Sequence, residues 1–212
     1  MKQPSARILV ADDERNIRKN LAMVLESTGY QVDEARDGKE ALALCRQTHP
    51  DIAFVDLHMP KMEGLDVLAH FRTLSPKTAV VIITAYGSAA SAVEAMKLGA
   101  VDFLEKPFDP KIIAILAEEI LFRQRHGSGG SFDDLLHLAD LARERNARLE
   151  ARAYLKAAMS RAADRPEPYY WLGYLCEVEG DTKRAVQYYY MAYSASKTYE
   201  PAAVALKCLG KI

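Results

Sequence analysis

Paired cysteines, an excess of charge of either sign and long apolar runs are all missing from this 212-residue chain. Cys45, Cys176 and Cys208 are scattered without paired spacing, so no disulfide framework is expected and a reducing compartment is the default. Lys and Arg number 28 against 29 Asp and Glu, split as 16 basic and 18 acidic up to Ser131 and 12 and 11 from Phe132 on. Neither part carries the basic field that marks a nucleic-acid binder. No stretch approaches membrane-spanning length, and Met1 to Arg7 lead into a strand without the charged-then-apolar pattern of a secretory signal. The expectation is a soluble, cytoplasmic protein without membrane contact.

Half of the residues are hydrophobic, enough for at least one core. They gather in short β-branched runs that end in reactive side chains: Ile8 to Ala11 before Asp12-Asp13, Phe54-Val55 before Asp56, Val80 to Ile83 before Thr84, and Val101 to Leu104 before Lys106. Between them lie helical periodicities, for example Ile17, Leu21, Val24 and Leu25. This alternation predicts βα units and a five-stranded, doubly wound parallel sheet of flavodoxin-like α/β class. The weak second strand, Gln31 to Ala35, is expected near an edge. Helices are predicted over about Arg15 to Thr28, from Asp37-Gly38 to before Pro50, over Leu65 to Leu74, from Gly87-Ser88 to Leu98, and from near Pro110 onward. In such a sheet the carboxyl ends of the strands meet at one edge, where sites form.

Gly127 to Ser131 reads as a flexible linker, residues 127–131, which five residues extend to only ~12 Å root-mean-square. Beyond it every segment reads helical, and shifting the chain by 34 residues superposes Leu138-Ala139 on Leu172-Gly173, Ala151 on Ala185, Leu155 on Tyr189 and Ala158 on Ala192. That period belongs to tetratricopeptide-type helical hairpins. The predicted organisation is an α/β domain at 5–126 and an all-α domain at 132–212, with repeats at about 132–165 and 166–199 and a capping helix at 200–210. Tyr169 and Tyr189 fall on core positions. Tyr170 and Tyr174 fall on the face that would line a groove for an unidentified protein or peptide, the alternative being packing on the α/β domain or on a second copy of the chain. The run Arg143, Arg145, Arg148 and Arg152, interleaved with Glu144 and Glu150, reads as a solvated face.

Asp12, Asp13 and Asp56 at one edge repel strongly, since two like charges 4 Å apart cost about 4 kcal/mol at an effective dielectric of 20. Oxygen ligands without a neighbouring His or Cys cluster point to Mg²⁺. Lys106 supplies a second positive charge and the Thr84 hydroxyl a donor. These are parts for phosphoryl transfer onto Asp56, in which positioning and electrostatics do most of the catalysis. Taken alone, Asp12-Asp13 would read as a helix cap; the joint pattern argues otherwise. Phe103, taken by itself, would read as core.

The acidic pair, Asp56 before Met59-Pro60, Thr84-Ala85 and Lys106-Pro107, in this order and spacing, resemble the receiver domain of two-component response regulators over about residues 5 to 125. The resemblance implies that a sensor histidine kinase or phosphotransfer protein delivers a phosphoryl group to Asp56. It implies that Asp13, Asp56 and the His58 carbonyl hold Mg²⁺, with Asp12 acting through water. It makes Thr84 and Phe103 a moving switch pair, Lys106 a catalytic cation behind a cis Lys106-Pro107 bond, and His58 and Tyr86 the positions that tune phosphoryl loss. The resemblance leaves open whether phosphorylation promotes a homodimer, commonly formed in that family through the face here near Ser88 to Leu98 and Pro110 to Arg125. The chain would be no metabolic enzyme, catalysing only its own phosphorylation and dephosphorylation, and its all-α domain would carry the output by protein–protein interaction. The competing readings are a DNA-binding transcriptional regulator, a receiver that has lost phosphorylation, and a metal-dependent phosphatase.

Overall fold

In the computed structural model, which describes residues 6–127 and 130–212, the apolar runs form one parallel sheet. The chain divides into two compact units, one up to Leu121 and one from Phe122. The first alternates β1 (Arg7–Ala11), α1 (Arg15–Ser27), β2 (Gln31–Ala35), α2 (Gly38–Thr48), β3 (Ile52–Asp56), α3 (Gly64–Leu74), β4 (Ala79–Thr84), α4 (Ala89–Lys97) and β5 (Asp102–Glu105), and α5 (Pro110–His126) follows. The sheet order is β2-β1-β3-β4-β5, with all neighbours parallel. The weak second strand lies at an edge, as its half-polar composition predicts.

Alternation along each strand sends neighbouring side chains to opposite faces. Leu9, Ala11, Ala53, Val55, Val80 and Ile82 pack with Leu42, Val67, Leu68, Phe71 and Ala95 from α2, α3 and α4. Ile8, Val10, Ile52, Phe54, Val81 and Ile83 pack with Leu21, Leu25, Ile113, Leu116 and Ile120 from α1 and α5. Strand β3 is buried along its whole length, so its two faces supply both cores. The helix starts are fixed locally. Asp37 accepts from the Glu40 N–H at the start of α2, and Ser88 and Ser91 form a reciprocal capping box at the start of α4.

The second unit contains α6 (Phe132–Glu144), α7 (Arg148–Arg161), α8 (Glu167–Val178), α9 (Thr182–Ala195) and α10 (Glu200–Cys208), each packed on the next. A capping box between Ser131 and Asp134 opens α6, and Asp181 caps α9. All the positions superposed by the sequence shift are buried: Leu138 with Leu172, Ala151 with Ala185, Leu155 with Tyr189, Ala158 with Ala192. Two expectations need correction. Tyr169 is only half-buried, with its hydroxyl donating to the Ala163 carbonyl, whereas Tyr189 is buried with its hydroxyl donating to Glu177 Oε2 at 2.5 Å. The arginine run is not a solvated face throughout. The Arg143 guanidinium stacks 3.4 Å over Trp171, and Arg152 pairs with Glu179 at 2.8 Å. Of the predicted linker, Ser128 and Gly129 lie outside the described residues, as do Met1 to Ser5 at the amino end. Among the described residues no helix is long and apolar enough to cross a membrane.

Gly173 is where α8 meets α9. A Cβ there would fall 2.6 Å from Tyr189 Cε1 and 3.2 Å from the Ala185 carbonyl oxygen. Helix propensity alone favours alanine over glycine by up to ~1 kcal/mol, but overpacking a buried contact costs about 1–3 kcal/mol. Gly173→Ala is therefore expected to destabilise the second unit by up to about 2 kcal/mol once the propensity gain is subtracted. Urea unfolding followed by fluorescence of Trp171, the chain's single tryptophan, measures it.

Candidate functional site

The carboxyl ends of β1, β3, β4 and β5 deliver the residues singled out by the sequence. Asp56 is the last residue of β3 and Asp12 follows β1 directly, and the two strands are neighbours. Lys106 follows β5, its N–H donating to the Thr84 carbonyl at 2.7 Å and its peptide bond to Pro107 being cis, as the resemblance implied. Its ammonium donates to Asp12 Oδ2 and to Asp56 Oδ1, both at 2.7 Å. Asp12, Asp56 and Thr84 are buried, and Asp13 is exposed beside them.

The remaining carboxylate oxygens meet the backbone. Asp56 Oδ2 accepts from the His58 N–H at 2.8 Å, and Asp12 Oδ1 from the Glu14 N–H at 2.8 Å. Asp12 thus turns back on its own loop and does not cap α1, whose N-cap is Glu14 without a side-chain bond. Burial pushes the Asp56 carboxyl above the usual carboxylate range, even though the bonds from Lys106 and the His58 N–H work the other way. For Lys106, burial acts to lower the pKa, but the hydrogen bonds to Asp12 and Asp56 outweigh it and hold the ammonium above its ordinary value. Thr84 Oγ1 accepts from the Tyr86 N–H at 3.1 Å. Phe103 is half-buried against the core on the α2–α4 face. His58 is exposed and its Nδ1 lies 3.0 Å from Glu63 Oε2, while the Tyr86 ring is 81% exposed.

Three supporting residues escaped the sequence reading. Gly64 lets the start of α3 run against β3, because a Cβ there would fall 2.3 Å from the Asp56 carbonyl oxygen. Lys61, held at φ 71°, pairs with the buried Asp37, whose carboxyl is pulled below its usual range chiefly by the Lys61 hydrogen bond. The Arg18 guanidinium donates to the Asp12 carbonyl at 2.6 Å and pairs with Glu34 at 3.3 Å. The glycine between Glu63 and Leu65 was the one available signal; the two cations carry none in sequence.

Among the described residues no three His, Cys, Asp or Glu side chains are grouped as a metal cage. Mg²⁺ does not need one, since it binds through one or two carboxylates and keeps waters. The side chains gathered here suit that cation: the atoms they offer are oxygens, and Asp12, Asp13 and Asp56 carry three formal negative charges against the one of Lys106.

Breaking a buried ion pair from one side leaves an uncompensated charge. In metal-free buffer, Lys106→Met is expected to cost about 3 kcal/mol. In an Asp56→Asn background the same change should cost less, with a coupling of about 1–3 kcal/mol. Hydrogen exchange at the β3 amides reads this in the first unit alone; additive losses would mean that the ammonium does not hold the two strands' ends together.

This edge can be compared with known proteins. The family model described as "Response regulator receiver domain" matches residues 8–117. "Regulatory protein AtoC" of Escherichia coli (strain K12) is 36% identical over 115 residues, which are 54% of this chain and 25% of that protein. "Alginate biosynthesis transcriptional regulatory protein AlgB" of Pseudomonas aeruginosa is 40% identical over 119 residues, 56% of this chain and 26% of that protein. The chain thus spans about a quarter of the length of each of these two relatives. A solved structure, the response regulator receiver domain protein (CheY-like) from Methanospirillum hungatei JF-1, superposes with a TM-score of 0.56 at 30% identity, over 57% of this chain and 98% of that one. The family match covers more than half of the chain and includes every residue gathered at the sheet edge, so the chain belongs to the response regulator receiver domain family.

Proposed function

We propose that the chain is a response regulator that takes a phosphoryl group onto Asp56 from a sensor histidine kinase or a phosphotransfer protein and passes the change of state on through protein–protein contacts of its second unit. The observation that carries this reading is the bridge from Lys106 to Asp12 and Asp56. It leaves Asp56 buried at the open edge of the sheet with a cation beside it. In the transfer a carboxylate oxygen of Asp56 attacks phosphorus, the phosphorus–nitrogen bond of the phosphohistidine breaks, and the imidazole nitrogen leaves. Lys106 and the Thr84 hydroxyl then face the charge on the phosphoryl oxygens. Asp13, Asp56 and the His58 carbonyl would hold Mg²⁺, with Asp12 contributing through water. The ion supplies charge neutralisation that lets a phosphoryl group approach a carboxylate.

Limits of 5–126 for the receiver and 132–212 for the output domain, a cytoplasmic setting, and catalysis confined to the protein's own phosphorylation and dephosphorylation belong to the same proposal. So does the identification of the helical unit as two tetratricopeptide-like repeats and a cap. It is supported by the 34-residue shift that superposes buried on buried positions and by the serial packing of α6 to α10. Tyr170 and Tyr174 would line its partner groove. A phosphorylation-dependent homodimer through α4 and α5 is compatible with the exposed Val93 and Met96 on α4.

A second reading, transcriptional control by DNA binding, draws on the similarity to AlgB, whose name is that of a transcriptional regulatory protein. Against it stands the charge balance of 12 basic and 11 acidic residues from Phe132 on. Salt-sensitive retention of the full chain on DNA would favour it.

Two measurements check the main reading. With Mg²⁺ and acetyl phosphate as donor, intact-mass analysis should show one added phosphoryl group, absent in Asp56→Asn and absent after chelation; a phosphorylated Asp56→Asn protein would move the acceptor elsewhere. The half-life of that group tests His58 and Tyr86. If their bulk hinders the hydrolytic water, His58→Asn with Tyr86→Glu should shorten it severalfold, and an equal or longer half-life refutes the role. Because Tyr86 is largely exposed, His58→Asn alone is expected to carry most of the effect.

A further inference from the structure

In the second unit, α8, α9 and α10 line an open cleft of about 420 Å³. Tyr170, Tyr174 and Glu177 line it from α8, Tyr189 from α9, and Glu200 and Val204 from α10. No lysine, arginine or histidine lines it. Its aromatic part is a connected group: the Tyr170 ring lies 5.0 Å from Trp171, 5.7 Å from Tyr189 and 5.8 Å from Tyr199. Tyr174 is 41% exposed and turns its edge to Trp171. Such ring faces carry partial negative charge and attract cations.

The two carboxylates add to that field. Glu177 Oε2 is held by the Tyr189 hydroxyl, and neither Glu177 nor Glu200 has a basic partner within ion-pair distance among the described residues. The same unit shows what its rings do where a cation of the chain is near. Arg143 stacks over Trp171 at 3.4 Å, Lys197 Nζ sits 4.2 Å over Tyr193, and Arg165 4.4 Å over Phe132. Of the cleft's own rings, Tyr174 has the Arg143 guanidinium 5.7 Å from its centroid, whereas Tyr170 and Tyr189 have no cation over them among the described residues. Beside the charges runs an apolar strip from Pro201 and the 49% exposed Val204. A small free cation would leave that strip in water, whereas the aliphatic stem of a long basic side chain and an apolar neighbour would cover it.

We propose that this cleft receives an arginine or lysine side chain of a partner protein, on a segment that places an apolar residue next to it against Pro201 and Val204. The inference rests on the reading of the second unit as an interaction module and names the chemistry of its partner.

The test uses the full chain as bait for phage-displayed random peptides. Enriched peptides are then measured by fluorescence anisotropy against wild type and Glu200→Gln, an exposed and conservative change. Expected is a basic residue at a fixed position next to an apolar one. Replacing it by norleucine, or Glu200 by Gln, should weaken binding about tenfold. The norleucine peptide should be indifferent to Glu200→Gln. Enrichment of acidic or uncharged peptides, affinity unchanged in Glu200→Gln, or no enrichment relative to a Glu200→Lys bait overturns the proposal. Competition by spermine at the peptides' own affinity overturns the assignment to a partner protein. Repeating the titration with Mg²⁺ and beryllofluoride separates this from the switch: affinity that depends on Glu200 but not on beryllofluoride keeps the cleft and removes its control by Asp56.

Discussion

Lys106 reaches across the sheet edge to two carboxylates that come from other strands, 94 and 50 residues away in the chain. One ammonium between two buried carboxylates sets the conditions for everything around it. It holds the ends of β1, β3 and β5 to a common point, and it compensates only part of the charge there. Desolvation makes a buried carboxylate without full compensation costly, and the raised pKa of Asp56 is the local record of that cost. The strand order explains why the cluster forms at all. The chain leaves β1 toward β2 on one side and passes through β3 toward β4 and β5 on the other, so the carboxyl ends of β1 and β3 flank the point where the winding reverses. Hydrophobic alternation buries both faces of the central strands, and that burial presses the carboxylates into low dielectric. The cores and the site are thus two consequences of one sheet.

The proposed reading also asks for a coupled movement at this edge. Thr84 is fully buried, and its hydroxyl accepts from the Tyr86 N–H. Gly87, which follows, would place a Cβ 3.2 Å from Phe103 Cε1 and 3.5 Å from Thr84 Cγ2. The Phe103 ring and the Thr84 methyl therefore share the space over one glycine, and a shift of Thr84 toward Asp56 changes the volume open to the ring. Packed interiors respond to such changes by switching between discrete arrangements. On the proposed reading Phe103, half-buried against the α2–α4 core, would be the side chain that switches.

Most of this arrangement was legible in the sequence, because period-two alternation, helix stops and strand-end carboxylates are local signals. The alternation of strands and helices, the edge position of β2 and the placing of Asp12, Asp13, Asp56, Thr84 and Lys106 at strand ends follow from them. What escaped depends on contacts between residues far apart. Arg143 and Arg152 look like surface charges by spacing, yet one stacks on Trp171 and the other reaches Glu179, partners 28 and 27 residues away. Lys61 and Asp37 likewise meet only because α2 and the loop after β3 are neighbours in space. Tyr169 illustrates the opposite error. The repeat pattern places it on the core side of α8, but a pattern assigns a face and not a depth, and its hydroxyl reaches out to the Ala163 carbonyl. Tyr170 and Tyr174 were assigned to a groove face, and both do line the cleft beside α10.

In the helical unit, Tyr189 connects stability with surface chemistry. Its ring fills the space that Gly173 leaves open, so α8 and α9 cross closely and the ring is buried. The hydroxyl of so buried a ring needs a partner, and Glu177 supplies it from the outer side of α8. Burial first, and then the bond to Glu177, drive the hydroxyl's pKa far upward and so favour its role as a donor. A group that packs the core therefore also fixes the orientation of a carboxylate lining the cleft. Replacing Tyr189 by phenylalanine would keep the packing and release Glu177, so the two roles are separable by a single oxygen atom.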